Sequence, residues 1–402
     1  MVVLSKLNLI ESYRVQCCND LIHPDGCFGN ALRNLYRFTI TNSKYFAAIF
    51  MIQVLLTIKN LDWKKLFDIF KYYLESVQCG ILTGWSYSVA ICMLRHVLKQ
   101  FNPYTISIIP VFIGGMATIC SATPRVRRLY YTSTIQCAIE SLIFQRSNIF
   151  TKLMFDSLPV KTLIFMCCSA LIMHSKSQQK LRAFWFLQPD ALRKKESVSA
   201  PSSSSIKERC AHKESTCDSY LVKGLRNYVG LGLTLDIAKS LINQVPAEAV
   251  GFFGKASSKM ASFRLTSTAF LASYIGIYRF TLCCLNRKTY YSRKLNHILA
   301  AFFAGASYMV CPQLTLQCYA IVVSMEILWK RFATYKTKKP SKLFRLLQSF
   351  PSAHLLYLCC LVYLVHNYTW SRNFVNKLAQ GFLNGTAGNY PKRISMKLNE
   401  LA

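Results

Sequence analysis

The chain carries two related copies of one unit, and this duplication constrains its fold more than any other feature. Leu32-Arg33-Asn34 recurs as Leu225-Arg226-Asn227. At nearly the same offset, residues 112–117 align with 302–307, and Met166-Cys167-Cys168 aligns with Leu358-Cys359-Cys360. A near-constant offset with one short gap is typical of an internal repeat, which is best identified before any other feature is interpreted.

The repeat predicts how the chain is organised. We expect an N-terminal segment at 1–26, membrane repeat 1 at 27–174, a polar basic linker at 175–216, membrane repeat 2 at 217–370 and a polar C-terminal tail at 371–402. The linker prediction depends on its runs of serine and charged residues. Within the tail, the spacing of apolar residues also predicts a short amphipathic helix at the membrane surface.

The composition indicates a membrane protein. Apolar residues make up 52% of the chain and charged residues only 16%, whereas charged residues are about a quarter of an ordinary soluble domain. The mean hydropathy is +0.24. Each copy holds several apolar stretches of helical length, although only some reach the roughly 20 residues that cross a bilayer. The predicted fold is therefore all-α, a polytopic helical membrane protein built from two homologous repeats.

The number of true spans stays open at this point, and it decides how the two copies are oriented in the membrane. If each copy crosses the membrane an odd number of times, the second copy inserts upside down, as in many transporters. If the number is even, the copies are parallel. Basic loops at matching positions in both copies do not decide between the two.

The strong positive charge points to lipid. The chain has 49 Lys and Arg against 17 Asp and Glu, a net charge of +32. The basic residues lie in short clusters between apolar stretches, as at 125–128 and 287–294. This placement favours contact with a lipid bilayer and its anionic lipids over binding to a nucleic acid. We therefore expect no nucleic-acid partner.

Cysteines and motifs give mainly negative expectations. Most of the 17 cysteines lie in apolar stretches or as adjacent pairs, which favours a reducing compartment. Since no Cys-x-x-Cys pair occurs, we predict no metal site and no cofactor. No hydrolase, metalloprotease or phosphate-loop signature is found, so we expect no enzymatic activity. The first 25 residues lack the pattern of a signal peptide, which disfavours entry into the secretory pathway. Basic loops on both sides of successive spans fit an organelle such as a mitochondrion or peroxisome.

Two acidic residues are the most specific functional candidates. Glu140 and Glu326 occupy equivalent positions in the repeat, each alone in an apolar stretch. A carboxylate at the centre of a membrane helix costs about 2.5–3.5 kcal/mol on insertion scales. One interpretation is an ion relay inside the bundle, or a partner for Arg95 or Arg279. The other is a position near a helix end, where the carboxylate reaches the headgroups.

Other repeated positions favour structural roles. Arg95 and Arg279 are equivalent and end apolar stretches, so they are predicted to reach the interface. Arg33 and Arg226 open the first helix of each copy and are predicted to lie at the interface near lipid phosphate. The glycines shared by the aligned stretches are predicted to let helix backbones pack closely: Gly114, Gly115 and Gly305.

The chain resembles the transmembrane protein 135 family. The residues that carry the resemblance are His23-Pro24-x-x-Cys27, the basic loop 124–128 leading to Glu140-Ser141-Leu142, and Ile277-Tyr278-Arg279 followed by Met325-Glu326. The resemblance implies a multi-pass protein of mitochondrial and peroxisomal membranes. It further implies a role in the balance of mitochondrial fission and fusion, in peroxisome organisation and in lipid homeostasis, with the organelle-fission machinery as a partner. The alternative, drawn from the duplication, is a metabolite or lipid transporter or channel.

Overall fold

The computed structural model describes residues 18, 23, 26–57, 62–177, 185, 216–244, 265–287, 292–336, 352–387 and 390–400. Among these residues no strand occurs, and nearly all are helical. In chain order the α-helices are α1 (Cys27–Thr57), α2 (Trp63–Leu98), α3 (Ile109–Ser121), α4 (Pro124–Gln145), α5 (Ile149–Asp156), α6 (Leu158–Ser177), α7 (Cys217–Gln244), α8 (Thr266–Arg287), α9 (Arg293–Ala304), α10 (Leu314–Lys336), α11 (Ser352–Trp370), α12 (Lys377–Ala387) and α13 (Tyr390–Glu400). A π-helical turn, Tyr104–Ile108, leads into α3, and 3-10 segments occur at Gly305–Val310 and Arg372–Phe374.

Local chemistry sets the ends of several helices. Asp62 caps α2, because its carboxylate accepts a hydrogen bond from the Trp63 N–H at 2.8 Å, and Ser292 caps α9. The helices α2 and α4 end at Lys99 and Arg146, whose φ angles are 54° and 50°. A residue in the left-handed backbone conformation cannot continue a right-handed helix, so the chain turns at both positions.

The described residues form two compact units. The first contains the residues up to Thr151 together with those from 352 onward, and the second contains the residues from 152 to 336. In the first unit α2 packs against α1 and α3, and α11 packs against α3 and α4. In the second unit α8 packs against α7 and α9, and α6 packs against α9 and α10. The two units therefore repeat the same set of helix pairs.

The units differ from the predicted repeats in one helix each. Helix α6 belongs by sequence to repeat 1 but packs in the second unit, and α11 belongs to repeat 2 but packs in the first. The contacts are equivalent: Gly115 lies against Leu358 of α11, and Gly305 lies against Met166 of α6. These are the positions that the sequence alignment pairs. The homology of the two copies remains a prediction, with which this exchange is consistent.

Aromatic side chains fill the core of the second unit. Phe165 stacks on Tyr308 with ring centroids 4.9 Å apart. Trp185, which falls in the predicted linker, is only 2% exposed, and its indole N–H donates to the Tyr274 hydroxyl at 3.4 Å. The rest of the linker from residue 178 to 215 lies outside the described residues. At Trp185, at least, the segment is part of a core, because a large indole there is buried with its N–H satisfied.

The predicted polar tail contains two helices. Lys377–Ala387 forms α12 and Tyr390–Glu400 forms α13, and both pack in the first unit. Apolar residues recur at helical spacing in the tail, so that Phe382 and Leu383 of α12 and Tyr390 and Ile394 of α13 lie in the core. The amphipathic helix that was expected exists as α12, but it covers protein rather than resting alone on a surface.

Four helical segments are long and apolar enough to cross a membrane. They are Trp63–Leu98, Tyr104–Ser121, Leu158–Ser177 and Thr266–Arg287. In each segment, more than half of the most apolar 18 residues are not buried by the rest of the protein. Two of these candidate spans lie in each unit. The all-α, multi-pass prediction fits these helices.

Candidate functional site

The two predicted carboxylates lie in different surroundings. Glu140 on α4 is 5% exposed. The Glu326 side chain on α10 is 29% exposed, and its carboxylate binds the Lys330 ammonium of the same helix at 2.5 Å. An ion pair at this spacing on an accessible helix face contributes about 0.3–0.5 kcal/mol. The two aligned positions therefore share the acidic residue but not its environment.

The equivalent arginines also differ in their contacts. The Arg279 guanidinium lies over the ring of Tyr220 on α7, 3.9 Å from its centroid, and donates to the Tyr220 carbonyl. Gly224 leaves room for it, since a Cβ there would come within 2.5 Å of the guanidinium. Arg95 on α2 lies 5.3 Å from the centroid of the Phe101 ring. Arg279 is thus fixed between helices, and its contact with an aromatic ring is shorter than that of Arg95.

Arg33 and Arg226 are both exposed, on α1 and α7. This exposure is compatible with the interfacial role that the sequence predicts. Next to Arg33, Asn34 is fully buried and accepts a hydrogen bond from Arg393 of α13 at 3.3 Å. Both Leu-Arg-Asn segments therefore have an exposed arginine, and in the first unit the asparagine that follows is buried.

The predicted packing glycines do lie at close helix contacts. A Cβ on Gly114 would meet the Thr83 carbonyl oxygen of α2 at 2.8 Å. On Gly115 it would meet the Leu358 side chain at 2.5 Å, and on Gly305 the Cα of Met166 at 2.6 Å. At Gly114 and Gly305 the backbone of a neighbouring helix occupies the space of a side chain, whereas at Gly115 the flexible end of Leu358 does.

A cluster of potential metal ligands lies at one end of the first unit. Cys18, His23, Cys27 and Cys92 place their ligand atoms within 4.8 Å of one another. The Cys92 Sγ and the His23 Nε2 are 3.5 Å apart. His23 and Cys92 are buried, Cys18 is half-buried and Cys27 is exposed. We call these four residues the thiol–histidine cluster.

Helix geometry brings the cluster together. Cys27 is the first residue of α1, and Cys92 lies near the end of α2, which packs against α1. A hydrogen bond from the His23 N–H to the Cys18 carbonyl, at 2.9 Å, joins the other two members. The cluster therefore joins the segment before α1 to the end of a candidate membrane span.

The thiols influence each other's ionisation. Hydrogen bonding with the Cys92 thiol lowers the pKa of Cys18 to about 7, with smaller contributions from Cys27 and the positive charge of Arg95, although partial burial opposes the shift. Burial, and the charge of Cys18, raise the pKa of Cys27. The first proton therefore leaves most easily from Cys18, and the cluster holds a thiolate close to neutral pH.

Sequence reasoning missed this cluster because its ligands do not form a Cys-x-x-Cys pair. Three of them fall within ten residues, as Cys18-x4-His23-x3-Cys27, but the fourth is on a different helix. Only the packing of α1 on α2 brings Cys92 to the others. The short Cys-His-Cys spacing was the one signal in the sequence that pointed to it.

A small cavity lies among α2, α3, α11 and the C-terminal helices of the first unit. It has a volume of about 30 Å³ and is lined by Thr83, Tyr87, Gly114, Leu361 and Thr386, among others. A water molecule needs roughly 10–15 Å³ of such space. This cavity holds water at most, and it offers no room for a metabolite or a lipid chain.

Comparison with known proteins adds no identity. No protein-family model matches the chain, and no solved structure matches it. The resemblance to the transmembrane protein 135 family therefore stays a prediction from the quoted residues.

Proposed function

We propose that this chain is a multi-pass organelle membrane protein that regulates mitochondrial dynamics, peroxisome organisation and lipid homeostasis. In this proposal it acts on the balance of fission and fusion through lipids and partner proteins and not through catalysis, and it resides in the mitochondrial or peroxisomal membrane. The organelle and the process rest on the family resemblance. The membrane setting rests on the apolar outer faces of the candidate spans, which is the observation that carries the proposal.

These outer faces are suited to lipid. Large apolar side chains are exposed along them, including Phe67 and Met93 on α2, Ile113 on α3, Leu163 on α6 and Phe280 on α8. A soluble protein rarely exposes apolar surface on this scale. Surrounded by acyl chains, the same side chains lie in a favourable environment.

Basic residues support contact with anionic headgroups. Arg125 at the start of α4 lies over the Tyr72 ring at 4.1 Å, and Arg127 donates to the Ala122 carbonyl at 3.1 Å. Both contacts hold the positive charges at one end of α3 and α4. A cluster of cations beside a membrane helix attracts anionic lipid by about 1 kcal/mol per charge near the surface.

The proposal is tested by a tagged full-length chain expressed in cells that lack the endogenous protein. We expect the tag to colocalise with mitochondria or peroxisomes, and we expect loss of the protein to change mitochondrial shape, with rescue by the wild-type chain. Residence in the endoplasmic reticulum or plasma membrane alone, with unchanged mitochondria, would contradict it.

A transporter or channel is the second candidate, and the burial of Glu140 favours it. A carboxylate buried to 5% exposure inside a helical bundle is a typical member of an ion path, although α4 is not one of the four candidate spans. Against a paired relay, Glu326 is half-exposed and bound by Lys330. Reconstituted vesicles separate the candidates: E140Q should abolish flux and E326Q should not, whereas wild-type flux in both variants removes the carboxylates from any transport role.

A further inference from the structure

We propose that the thiol–histidine cluster of Cys18, His23, Cys27 and Cys92 is a structural zinc site that fastens the start of the chain to the end of helix α2. The proposal is independent of the regulatory function above. It assigns a divalent, thiophilic metal ion to four side chains for which the sequence predicted no metal.

The donor set selects the metal. Three thiolates and one imidazole are a common set for structural zinc, which is bound in a tetrahedron by Cys and His. Thiolate ligands disfavour magnesium and calcium, which prefer oxygen. With four protein ligands the coordination sphere is closed, so the site leaves no position for substrate and is structural.

The geometry is close to what zinc requires. Bond lengths of about 2.3 Å to sulfur and 2.0–2.1 Å to nitrogen place tetrahedral ligand atoms roughly 3.5–3.8 Å apart. The Cys92 Sγ and the His23 Nε2 already lie 3.5 Å apart, and all four ligand atoms fall within 4.8 Å of one another. Binding therefore needs the cluster to contract by about 1 Å at most, which side-chain rotation can supply.

The local charge suits the complex. Three thiolates with one divalent cation leave a single net negative charge, and Arg95 lies on the same face of α2 as Cys92, three residues further on. An outer positive group of this kind stabilises an anionic metal–thiolate centre. Arg95, which the sequence predicted only to reach the interface, would thus have a second role as a positioning residue for the metal centre.

The site has a clear structural consequence. Cys18 and His23 precede α1, Cys27 begins it, and Cys92 belongs to a candidate membrane span. A metal ion bound by all four ties α1 and the segment before it to α2. Because metal binding is linked to folding, removal of the ion should loosen this end of the α1–α2 pair before it disturbs the rest of the unit.

The first test measures metal in the purified full-length chain in detergent. Mass spectrometry of the elements should find about one zinc ion per chain, and C92S should lose most of it. C79S is the matched control, because Cys79 is also a buried cysteine of α2 but lies outside the cluster. A wild-type chain without zinc, or equal zinc in C92S and C79S, would overturn the proposal.

The second test needs no variant and covers the case in which C92S does not fold. Cys27 and Cys120 are both exposed. In the wild-type chain a maleimide should modify Cys120 readily and Cys27 slowly. A zinc chelator should accelerate the modification of Cys27, Cys18 and Cys92 and leave that of Cys120 unchanged. Equal modification of Cys27 and Cys120 before chelation, or a disulfide between Cys18 and Cys27, would overturn the zinc site.

Discussion

The α1–α2 pair of the first unit and the α7–α8 pair of the second have similar packing but different chemistry at one end. In the first unit α1 begins at Cys27, and α2 brings Cys92 and Arg95 to it. In the second unit the aligned positions hold Tyr220 and Gly276, and Arg279 lies on the Tyr220 ring. The arginine occurs in both units. Among the described residues the thiol–histidine cluster occurs only in the first, although the sequence also has Cys210, His212 and Cys217 at the start of the second copy. One helix pair is thus held by a side-chain cation and ring, and the other is suited to a metal ion.

The small-residue contacts give the largest predicted difference between the units. Alanine at position 305 would meet the Met166 backbone, whereas alanine at 115 would meet the flexible end of Leu358. We therefore expect G305A to lower the stability of the unit by about 1–3 kcal/mol, and G115A to lower it by less. Thermal unfolding in detergent measures both.

Gly276 provides the control for these substitutions. A Cβ there meets nothing within 4 Å, and alanine favours a helix by up to about 1 kcal/mol over glycine. G276A should therefore leave stability unchanged or raise it. Equal losses from G305A, G115A and G276A would mean that the close contacts do not matter.

The arginines give the next difference. Arg279 combines a short ring contact with a hydrogen bond to the Tyr220 carbonyl, so R279Q should cost about 1–2 kcal/mol. Arg95 lies farther from its ring, so R95Q in the metal-free chain should cost about 0.5–1 kcal/mol. Unfolding by denaturant in detergent compares them, and a larger loss for R95Q would reverse the assignment.

Asp236 predicts a pH dependence in the second unit. Its carboxylate accepts from the N–H groups of Ser267 and Thr268, at 3.1 and 2.9 Å, and so caps α8 from α7. Burial raises the pKa of Asp236, but these donors outweigh burial and lower it below the ordinary value of 3.8. Because the pKa is lower in the folded state, the ionised carboxylate stabilises the fold at pH values above the unfolded pKa of 3.8. This stabilisation is lost as the pH falls through the folded pKa.

The measurement for Asp236 is thermal stability as a function of pH. The wild-type chain should lose more stability below pH 4 than D236N does, and D236N should be less stable by about 1–2 kcal/mol near neutral pH. D62N is the control variant, because Asp62 also caps a helix but lies at the exposed start of α2 in the first unit. Parallel pH curves for the wild type and D236N would show that this cap does not titrate as described.

The smallest predicted effect is at Glu326. Its ion pair with Lys330 is accessible and lies within one helix, so K330A should cost about 0.3–0.5 kcal/mol, and salt should remove the difference. Thermal unfolding at low and high salt checks this. A salt-independent loss above 1 kcal/mol would indicate a buried role for Glu326, like that of its aligned partner Glu140.

Much of the helical fold follows from the sequence, because apolar stretches of helical length mark most of the longer helices. In α2 such a stretch covers only the second part of the helix, and the sequence does not predict its polar start at Trp63, which has no apolar run. Helix α13 was missed for a similar reason, since charged and polar residues hide its few apolar positions. Hydropathy alone detects only the apolar part of such helices.

The candidate site was less accessible to sequence reasoning. The repeat alignment picked out Glu140 and Glu326 as a pair, but burial and neighbours depend on packing, and the two residues differ in both. The thiol–histidine cluster depends on a contact between residues that are far apart in the chain. The exchange of α6 and α11 between the units is likewise a property of packing that no alignment of the two copies contains.

The central claim is that a chain of paired membrane helices carries a metal centre at one membrane face. The most direct test determines on which side of the membrane Cys27 and Cys120 lie. Thr83 and Tyr87 of α2 face Gly114 of α3, and Thr83 also bonds Thr118 at 2.5 Å, so the two spans run antiparallel. Cys27 and Cys120 should therefore lie on opposite sides of the membrane. In sealed vesicles treated with a chelator, an impermeant maleimide should modify only one of them, and the other only after permeabilisation. Modification of both from the same side would contradict the account.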